Sequence, residues 1–371
     1  MKKTLALLLT LALSVSVFAG CQGTAVVEKE NNNVTTENVA VNTEAATEAA
    51  TEKADGTAAS TSEARPVKTG LAIVPTYPLS GEIFAKEGED GYVQVDLTMV
   101  AVTVDAEGKI NSCVIDQVQG KNTFNTKGEI TTTATSFASK NELGADYGMV
   151  AWGKAIAEWD AQAAAVAEYV VGKTVEEVKG ISIVEGGKAG DADLASKATM
   201  AIAGFFDPIV KAVENAKDLG AAHWDTLQLV SVTTPADNAN ATADKYGVAS
   251  VYATVAAVTT HYDEITSCMI DAIQANVDIT VEGAIETNLH GISYQTKNEK
   301  GADYGMVAWG GAIAEWDAQA ASFAEYITGK TISEVAGIAV DENTKATDAD
   351  LTASVTIKIG DFKALIEKLA E

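Results

Sequence analysis

The sequence KNELGADYGMVAWG at residues 140–153 returns as KNEKGADYGMVAWG at residues 297–310. The match continues downstream at the same offset of 157 residues (297 − 140). A repeat of this length is the size of a domain, whereas solenoid repeats are about 20–50 residues long. We therefore predict two tandem copies of one domain, covering residues 66–217 and 218–371.

The first part of each copy has a strand-like pattern. Residues 92–104 alternate between apolar and polar side chains, as do residues 248–259 of the second copy, and this alternation predicts β-strands. The turn at residues 105–108 (DAEG) and a second alternating stretch at residues 109–117 predict a hairpin. A further Thr-rich strand is expected at residues 129–135.

A helical pattern follows the strands. Between residues 147 and 171 the apolar side chains recur at steps of three and four, which predicts one long helix. We expect Trp152, Ile156 and Trp159 to share its buried face, and the alternative is an aromatic ligand platform. A strand and a helix over residues 355–369 close the second copy. The predicted fold class is α+β, with an antiparallel hairpin-based sheet, a long helix and a closing strand–helix unit per copy.

The start of the chain has the pattern of a secretory signal peptide. Two lysines precede an apolar run at residues 4–18, which is shorter than the roughly 20 residues that a membrane span needs. Residues 18–21 (FAGC) resemble the lipobox of bacterial lipoproteins. This resemblance implies removal of residues 1–20 and lipidation of the Cys21 thiol, which would anchor the chain to the outer face of the cell membrane. The alternative is an ordinary signal peptide.

Composition restricts the partners. Residues 21–65 are rich in Thr, Glu, Ala and Asn, and we expect a disordered acidic tether there. The formal net charge of −26 argues against nucleic acid as a partner, because nucleic acid requires a basic surface. Arg65 is the only arginine in the chain. An anion site in the folded part must therefore use backbone N–H groups, hydroxyls or lysines.

Candidates for catalysis and for metal binding are few. His223, His261 and His290 all lie in the second copy, and neither copy has Cys and His residues at metal-ligand spacing. Cys113 and Cys268 occupy matching strand positions, where they are either redox-active or disulfide-forming thiols, or small buried hydrophobic residues. No nucleophile–base pair is repeated in both copies, so an extracytoplasmic hydrolase is the least supported function.

Three short motifs carry a family resemblance. Residues 105–110 (DAEGKI) form a hairpin turn, and residues 196–201 (SKATMA) precede the closing helix, as do residues 353–358 (ASVTIK) in the second copy. Their order resembles the FMN-binding domain of flavin-carrying subunits in bacterial Rnf and sodium-pumping quinone reductase complexes. The resemblance implies that Thr199 and Thr356 are the positions that hold FMN.

The motif departs from the family pattern at its glycine. Lys197 and Ser354 stand where the family has the glycine that lets the backbone approach the phosphate. In the family, the threonine can hold FMN through a phosphoester bond. The alternative for this chain is non-covalent binding, with the phosphate at a helix N-terminus and the flavin ring stacked on Tyr147 or a tryptophan. The leading hypothesis is a membrane-anchored lipoprotein that binds flavin or transfers electrons to a redox partner protein. The alternative is a non-redox surface lipoprotein that binds a solute or a protein.

Overall fold

The computed structural model describes residues 63–77, 82–289 and 293–370, which lie within one compact unit. These ranges contain helices and antiparallel sheets, so the predicted α+β class is confirmed. The predicted signal peptide, the predicted lipidation site Cys21 and the predicted tether up to residue 62 lie outside the described residues. Within them, no helix has the length and apolar character that a membrane crossing requires.

Each copy contributes one main sheet. The strands are β1 (Lys68–Thr76), β2 (Glu82–Ile83), β3 (Gly91–Val104), β4 (Ile110–Phe124), β5 (Ile183–Val184), β6 (Lys188–Ala189), β7 (Thr226–Thr234), β8 (Gly247–His261) and β9 (Glu264–Ile279). In the first copy β3 pairs with β4 on one side and with β1 and β2 on the other. In the second copy β8 lies between β7 and β9, and all of these pairs are antiparallel.

The helices follow the strands of each copy. They are α1 (Lys140–Leu143), α2 (Trp159–Val170), α3 (Val175–Lys179), α4 (Ala192–Lys197), α5 (Ala203–Glu214), α6 (Lys297–Lys300), α7 (Met306–Gly310), α8 (Trp316–Ile327), α9 (Ile332–Ala336), α10 (Ala349–Thr352) and α11 (Gly360–Glu367). Short 3-10 turns cover Gly144–Tyr147, Glu185–Gly187, Gly301–Tyr304 and Lys368–Ala370.

The two sheets pack against each other and the helices cover their outer faces. Apolar residues of both sheets, including Leu97 and Met99 from β3 and Val255 from β8, form one central core. A second core lies between the first sheet and helices α2 and α5, and a third between the second sheet and helices α8 and α11. The order of layers is therefore helix, sheet, sheet, helix. The domain boundaries at residues 217 and 218 stay a prediction, because the copies share a core.

The contact between the sheets is close and symmetric. Strand β1 lies beside β9 and β4 lies beside β7, so the first strand of each main sheet meets the last strand of the other. Gly120 of β4 faces Val251 of β8, and a Cβ atom built on Gly120 would be 2.4 Å from Val251 Cγ2. The absence of a side chain at Gly120 is therefore what allows this approach.

Both predicted hairpin strands of the first copy are confirmed, but two other predicted strands are wrong. Residues 129–135 form only an isolated bridge at Ile130, because the Thr123 N–H donates to the Thr132 hydroxyl (2.8 Å) instead of to a ladder carbonyl. Residues 355–359 form no strand either. Only Lys358 bridges to Lys345, while the predicted closing helix is confirmed as α11.

The predicted long helix begins later than expected. Helix α2 starts at Trp159 rather than at residue 147. Gly148 (φ 79°) and Lys154 (φ 53°) adopt left-handed backbone conformations that an α-helix cannot contain. The Glu158 carboxylate also accepts hydrogen bonds from the Met149 N–H (2.7 Å) and the Val150 N–H (3.0 Å). These contacts hold the preceding residues in a separate loop.

Candidate functional site

The repeated motif places a buried lysine in the first turn of a short helix in each copy. The hydroxyls of Ser139 and Thr296 cap helices α1 and α6 by accepting a hydrogen bond from the N–H of the glutamate three residues later. That glutamate binds the N–H of the capping residue in return, which fixes the first turn. Lys140 and Lys297 directly follow the caps, and both are buried.

In the first copy the lysine lies among aromatic rings and one carboxylate. Lys140 Nζ is 4.6 Å from the centre of the Tyr147 ring and 4.9 Å from that of Trp159. The negative faces of aromatic rings attract an ammonium group at these distances. Asp96 also attracts this ammonium, and the same carboxylate accepts a hydrogen bond from Gln94 (2.7 Å).

The second copy encloses its lysine in three rings. Lys297 Nζ is 4.9 Å from the ring centre of Tyr252 and 4.8 Å from those of Tyr304 and Trp316. It also donates a hydrogen bond to the Tyr252 hydroxyl (3.0 Å). Tyr252 occupies the sheet position that corresponds to Asp96. The two copies therefore differ in whether a carboxylate or a phenol stands at this sheet position. Carboxylates attract the ammonium group in both copies, and in the second they are Asp237, Asp361 and Asp271.

A cavity of about 380 Å³ opens beside Lys297. It is lined by Tyr252, Thr254, Lys297, Tyr304, Met306, Trp316, Thr344, Ile357, Lys358, Gly360, Asp361 and Phe362. The lining thus combines two lysines, aromatic rings, hydroxyls and the N-terminus of helix α11, where backbone N–H groups favour an anion. Asp361 is the one carboxylate in the lining. Its Oδ2 lies 3.5 Å from the Thr254 hydroxyl.

Burial shifts the pKa of the groups around both lysines. Removal from water lowers the pKa of Lys140 and of Lys297 to about 8, because desolvation penalises the charged amine. Burial likewise raises the pKa of Asp116 and of Asp271 to about 6, although each carboxylate accepts hydrogen bonds from backbone N–H groups. Each copy thus carries a buried lysine and a buried carboxyl group with shifted pKa values.

The lysine shifts predict how stability depends on pH. Because the folded-state pKa lies near 8 and the ordinary value near 10.5, the folded protein loses these protons at lower pH than the unfolded chain does. Between pH 8 and pH 9.5 the lysines therefore raise the free energy of unfolding, by about 1–3 kcal/mol for both together. The cysteines oppose this, since burial raises the pKa of Cys113 and Cys268 to about 12.

The measurement compares urea unfolding of the wild type with that of Lys140→Met/Lys297→Met across this pH range. Because the cysteines are the same in both proteins, the difference between the two free energies isolates the lysines. We expect the stability of the wild type relative to the variant to rise with pH. A difference that stays constant from pH 8 to pH 9.5 would contradict the lowered pKa values.

The two threonines of the predicted flavin motif contact a buried glutamine in each copy. Gln162 Oε1 accepts hydrogen bonds from the Thr199 N–H (2.9 Å) and more weakly from its hydroxyl (3.4 Å). Gln319 Oε1 accepts the corresponding bonds from the Thr356 N–H (2.8 Å) and hydroxyl (3.2 Å). Thr356 directly precedes Ile357, which lines the cavity. The threonine segment of the second copy therefore borders the lysine site.

The repeated sequence also exposes two tryptophans. Trp152 is 87% exposed and Trp309 is 85% exposed, so the prediction that the first belongs to a buried helix face is wrong. Ile156 is also exposed, whereas Trp159 and Trp316 are buried. Glu315 accepts hydrogen bonds from two N–H groups of the second loop, as Glu158 does in the first. Both tryptophans therefore stand on similarly braced loops.

The cysteines match the interpretation as small hydrophobic residues. Both are free, so no disulfide joins the copies. Cys268 is buried, and Cys113 packs against the core between the first sheet and its helices. Because burial raises the pKa of both thiols, neither has the thiolate character of a redox site. His290 lies outside the described residues, while His223 and His261 lie near each other at the surface.

The family resemblance pointed to the threonines, but neither it nor the residue patterns pointed to the lysines. A lysine inside a repeated K-N-E motif has the pattern of a solvent-exposed helix residue. The Ser or Thr before it indicates the start of a helix but not that the lysine is buried. The aromatic partners Tyr252 and Trp316 come from distant parts of the chain. Their meeting depends on the tertiary fold, which local periodicity does not describe.

Comparison with known protein families, with curated proteins and with solved structures found no match. The likeness to the FMN-binding domain therefore rests on the hairpin and threonine motifs alone. What the protein binds has to be argued from the geometry of the lysine sites.

Proposed function

We propose that this protein is an exported lipoprotein, anchored through Cys21, whose second copy binds a flavin of the FMN class without a covalent bond. The observation that supports this most is the cavity beside Lys297, where an ammonium group, aromatic rings and a helix N-terminus converge. Its volume lies within the range of roughly 300–1,000 Å³ typical of small-molecule sites. Bound flavin would supply redox chemistry for exchange with a partner protein.

The lining suits both ends of such a ligand. Lys297 and Lys358 provide positive charge for a phosphate, and the first N–H groups of helix α11 provide donors. This set contains no arginine, in agreement with the composition of the folded part. The rings of Tyr304 and Trp316 offer faces or edges to a planar heterocycle, because aromatic groups favour offset-stacked and edge-to-face contacts.

The hydrogen bonds of the threonines support non-covalent binding. A phosphoester at Thr356 would remove the hydroxyl proton that is donated to Gln319 Oε1 (3.2 Å). Thr199 has the corresponding contact with Gln162. We infer that both threonines support the segment that borders the site and that neither carries a phosphoester bond.

Titration of the purified protein with FMN, followed by flavin fluorescence, tests this proposal. We expect saturable quenching, and a Kd at least about tenfold higher for Lys297→Met, since loss of one partner from a desolvated charge pair costs about 2–5 kcal/mol. Lys140→Met is the matched control and should leave the Kd unchanged. Absence of quenching with a large excess of FMN, and of flavin absorbance after expression with a flavin transferase, would exclude flavin.

A second candidate is a non-redox surface protein that binds a solute or another protein. It is favoured by Trp152 and Trp309, because exposed apolar residues on braced loops are typical of contact surfaces. The same titration separates the two candidates. A protein that binds no flavin but loses its partner in the Trp152→Ala/Trp309→Ala variant would support the second.

A further inference from the structure

A row of aromatic rings lies at the surface of the second copy, away from the lysine cavity. The ring centres of His223 and Trp224 are 4.8 Å apart, those of Trp224 and His261 6.0 Å, and those of His261 and Tyr262 4.6 Å. Tyr262 is 92% exposed and Trp224 is 42% exposed. We call these four residues the aromatic row.

Each imidazole of the aromatic row has a polar contact within the protein at its Nδ1 atom. The backbone N–H of Arg65 donates to His223 Nδ1 (3.2 Å). His261 Nδ1 lies 3.4 Å from Oδ1 of Asp225, a buried carboxylate whose other oxygen accepts a hydrogen bond from the Thr266 hydroxyl (2.7 Å). Asp225 Oδ1 has no other polar partner in the described part of the chain. Within the described residues, the Nε2 atom of neither ring has a hydrogen-bond partner.

Tyr262 occupies a backbone conformation that L-residues rarely adopt. Its φ is +56°, in the tight turn between β8 and β9, whereas the corresponding turn of the first copy places Gly108 at φ +78°. A side chain in this region costs free energy that a glycine avoids. The Tyr262 ring contacts His261 but is otherwise open to solvent, so packing offers little compensation. Packing within the described residues therefore does not explain why a tyrosine stands at this position.

We propose that the aromatic row binds a neutral polysaccharide chain. The C–H groups on one face of a sugar ring are weakly positive and stack on the negative face of an aromatic ring. The hydroxyls at the edges of the sugars can form hydrogen bonds with the indole N–H, the phenol and the two Nε2 atoms. Adjacent rings are tilted by 47°, 45° and 70° and contact one another, so the four residues form one continuous aromatic surface, which suits a chain of sugars better than a single small molecule.

The charges near the aromatic row argue against an anionic partner. Arg65 is next to His223, but Asp263 and Glu264 directly follow Tyr262 and are exposed. The chain as a whole carries a net charge of −26. A polyanion would therefore meet repulsion here, whereas a neutral chain of sugars would not.

Affinity electrophoresis of the protein in gels containing glycogen, xylan, galactomannan or mixed-linkage β-glucan tests the proposal, with sedimentation on cellulose and chitin for insoluble probes. We expect the wild type to be retarded or sedimented by at least one probe. Tyr262→Gly should weaken that binding about tenfold, the effect of losing one stacking contact together with its hydrogen bond. Trp224→Ala should have an effect of similar size.

The controls separate the row from other features of the protein. Glycine adopts the positive φ of this position without the steric cost that tyrosine has, so the Tm of Tyr262→Gly should not fall below that of the wild type. Loss of binding in this variant cannot then be ascribed to unfolding. Trp309→Ala removes a tryptophan elsewhere that is more exposed than Trp224 and should bind like the wild type. Binding to none of the probes, or equal loss in Trp309→Ala, would overturn the proposal whatever the result with FMN.

Discussion

Replacing Gln319 by leucine is expected to lower the free energy of unfolding by about 3–5 kcal/mol. The side chain is fully buried, and its amide makes bonds to three parts of the backbone. Its oxygen accepts from the N–H groups of Thr356 (2.8 Å) and Ile357 (3.2 Å), while its nitrogen donates to the Ala314 carbonyl (2.8 Å). Leucine fills a similar volume but leaves these three polar groups without partners.

Urea unfolding of Gln319→Leu, beside two related variants, measures this effect. Gln162→Leu removes the matching contacts of the first copy and should cost a similar amount. Gln295→Leu changes an exposed glutamine and should alter the free energy of unfolding by less than about 0.5 kcal/mol. A loss below about 1 kcal/mol in Gln319→Leu would show that water satisfies the freed groups and that the glutamine does not hold the threonine segment.

Gly120→Ala is expected to destabilise the protein by about 1–3 kcal/mol, the usual effect of overpacking a core. The new Cβ would meet Val251 Cγ2 at 2.4 Å and Cγ1 at 2.6 Å, so one sheet must move away from the other. Because the contact joins the two copies, Val251→Ala should compensate. The double variant should be more stable than the sum of the two single effects by about 1 kcal/mol or more.

Chemical unfolding of the four proteins of this double-mutant cycle gives the coupling energy. Gly204→Ala is the control, since Gly204 lies in helix α5 and an added Cβ there meets no atom within 4 Å. That change should stabilise the helix by about 0.5–1 kcal/mol. Additive effects of Gly120→Ala and Val251→Ala would mean that the two sheets do not approach each other at this point in solution.

Local sequence patterns correctly predicted the elements whose structure depends mainly on their own residues. Along β3 the face that packs on the opposite sheet is almost entirely apolar. The other face carries Gln94, Asp96 and Thr98, which gives the alternation, before it packs on the helices from Val100 onward. The turn before β4 was also predictable, since Gly108 supplies its positive φ. In such segments the spacing of apolar residues and the turn residue contain the needed information.

Predictions failed where a distant polar contact overrides local periodicity. Trp152 and Ile156 fit the helical repeat, but the Glu158 carboxylate binds N–H groups nine and eight residues earlier and keeps this loop apart from α2. The strand predicted in the Thr-rich segment is wrong for a related reason. The Thr132 hydroxyl accepts the hydrogen bond of the Thr123 N–H in place of a strand carbonyl. The periodicity of a sequence shows which side chains are apolar. It does not show which backbone N–H group a side-chain oxygen will accept a hydrogen bond from.

The candidate site was predicted only in part. The resemblance identified Thr356, which borders the cavity, but nothing in the sequence identified Gln319, the buried glutamine that accepts a hydrogen bond from its hydroxyl. Lys297 gave no signal as a buried group, because its burial depends on rings from β8 and α8. Lipidation of Cys21 stays a prediction, since that residue lies outside the described part of the chain.

The core shared by the two sheets bears on how such a chain could have arisen. A single copy would leave one whole sheet face in water, and the simplest remedy is a homodimer in which the same face of two identical subunits meets around a twofold axis. The edges β1 with β9 and β4 with β7 meet in this way, so the chain corresponds to that dimer joined end to end. Once joined, the halves can change separately. Under the proposed function, the difference between Asp96 and Tyr252 at one sheet position is a change of this kind, made in the half that we propose to bind flavin.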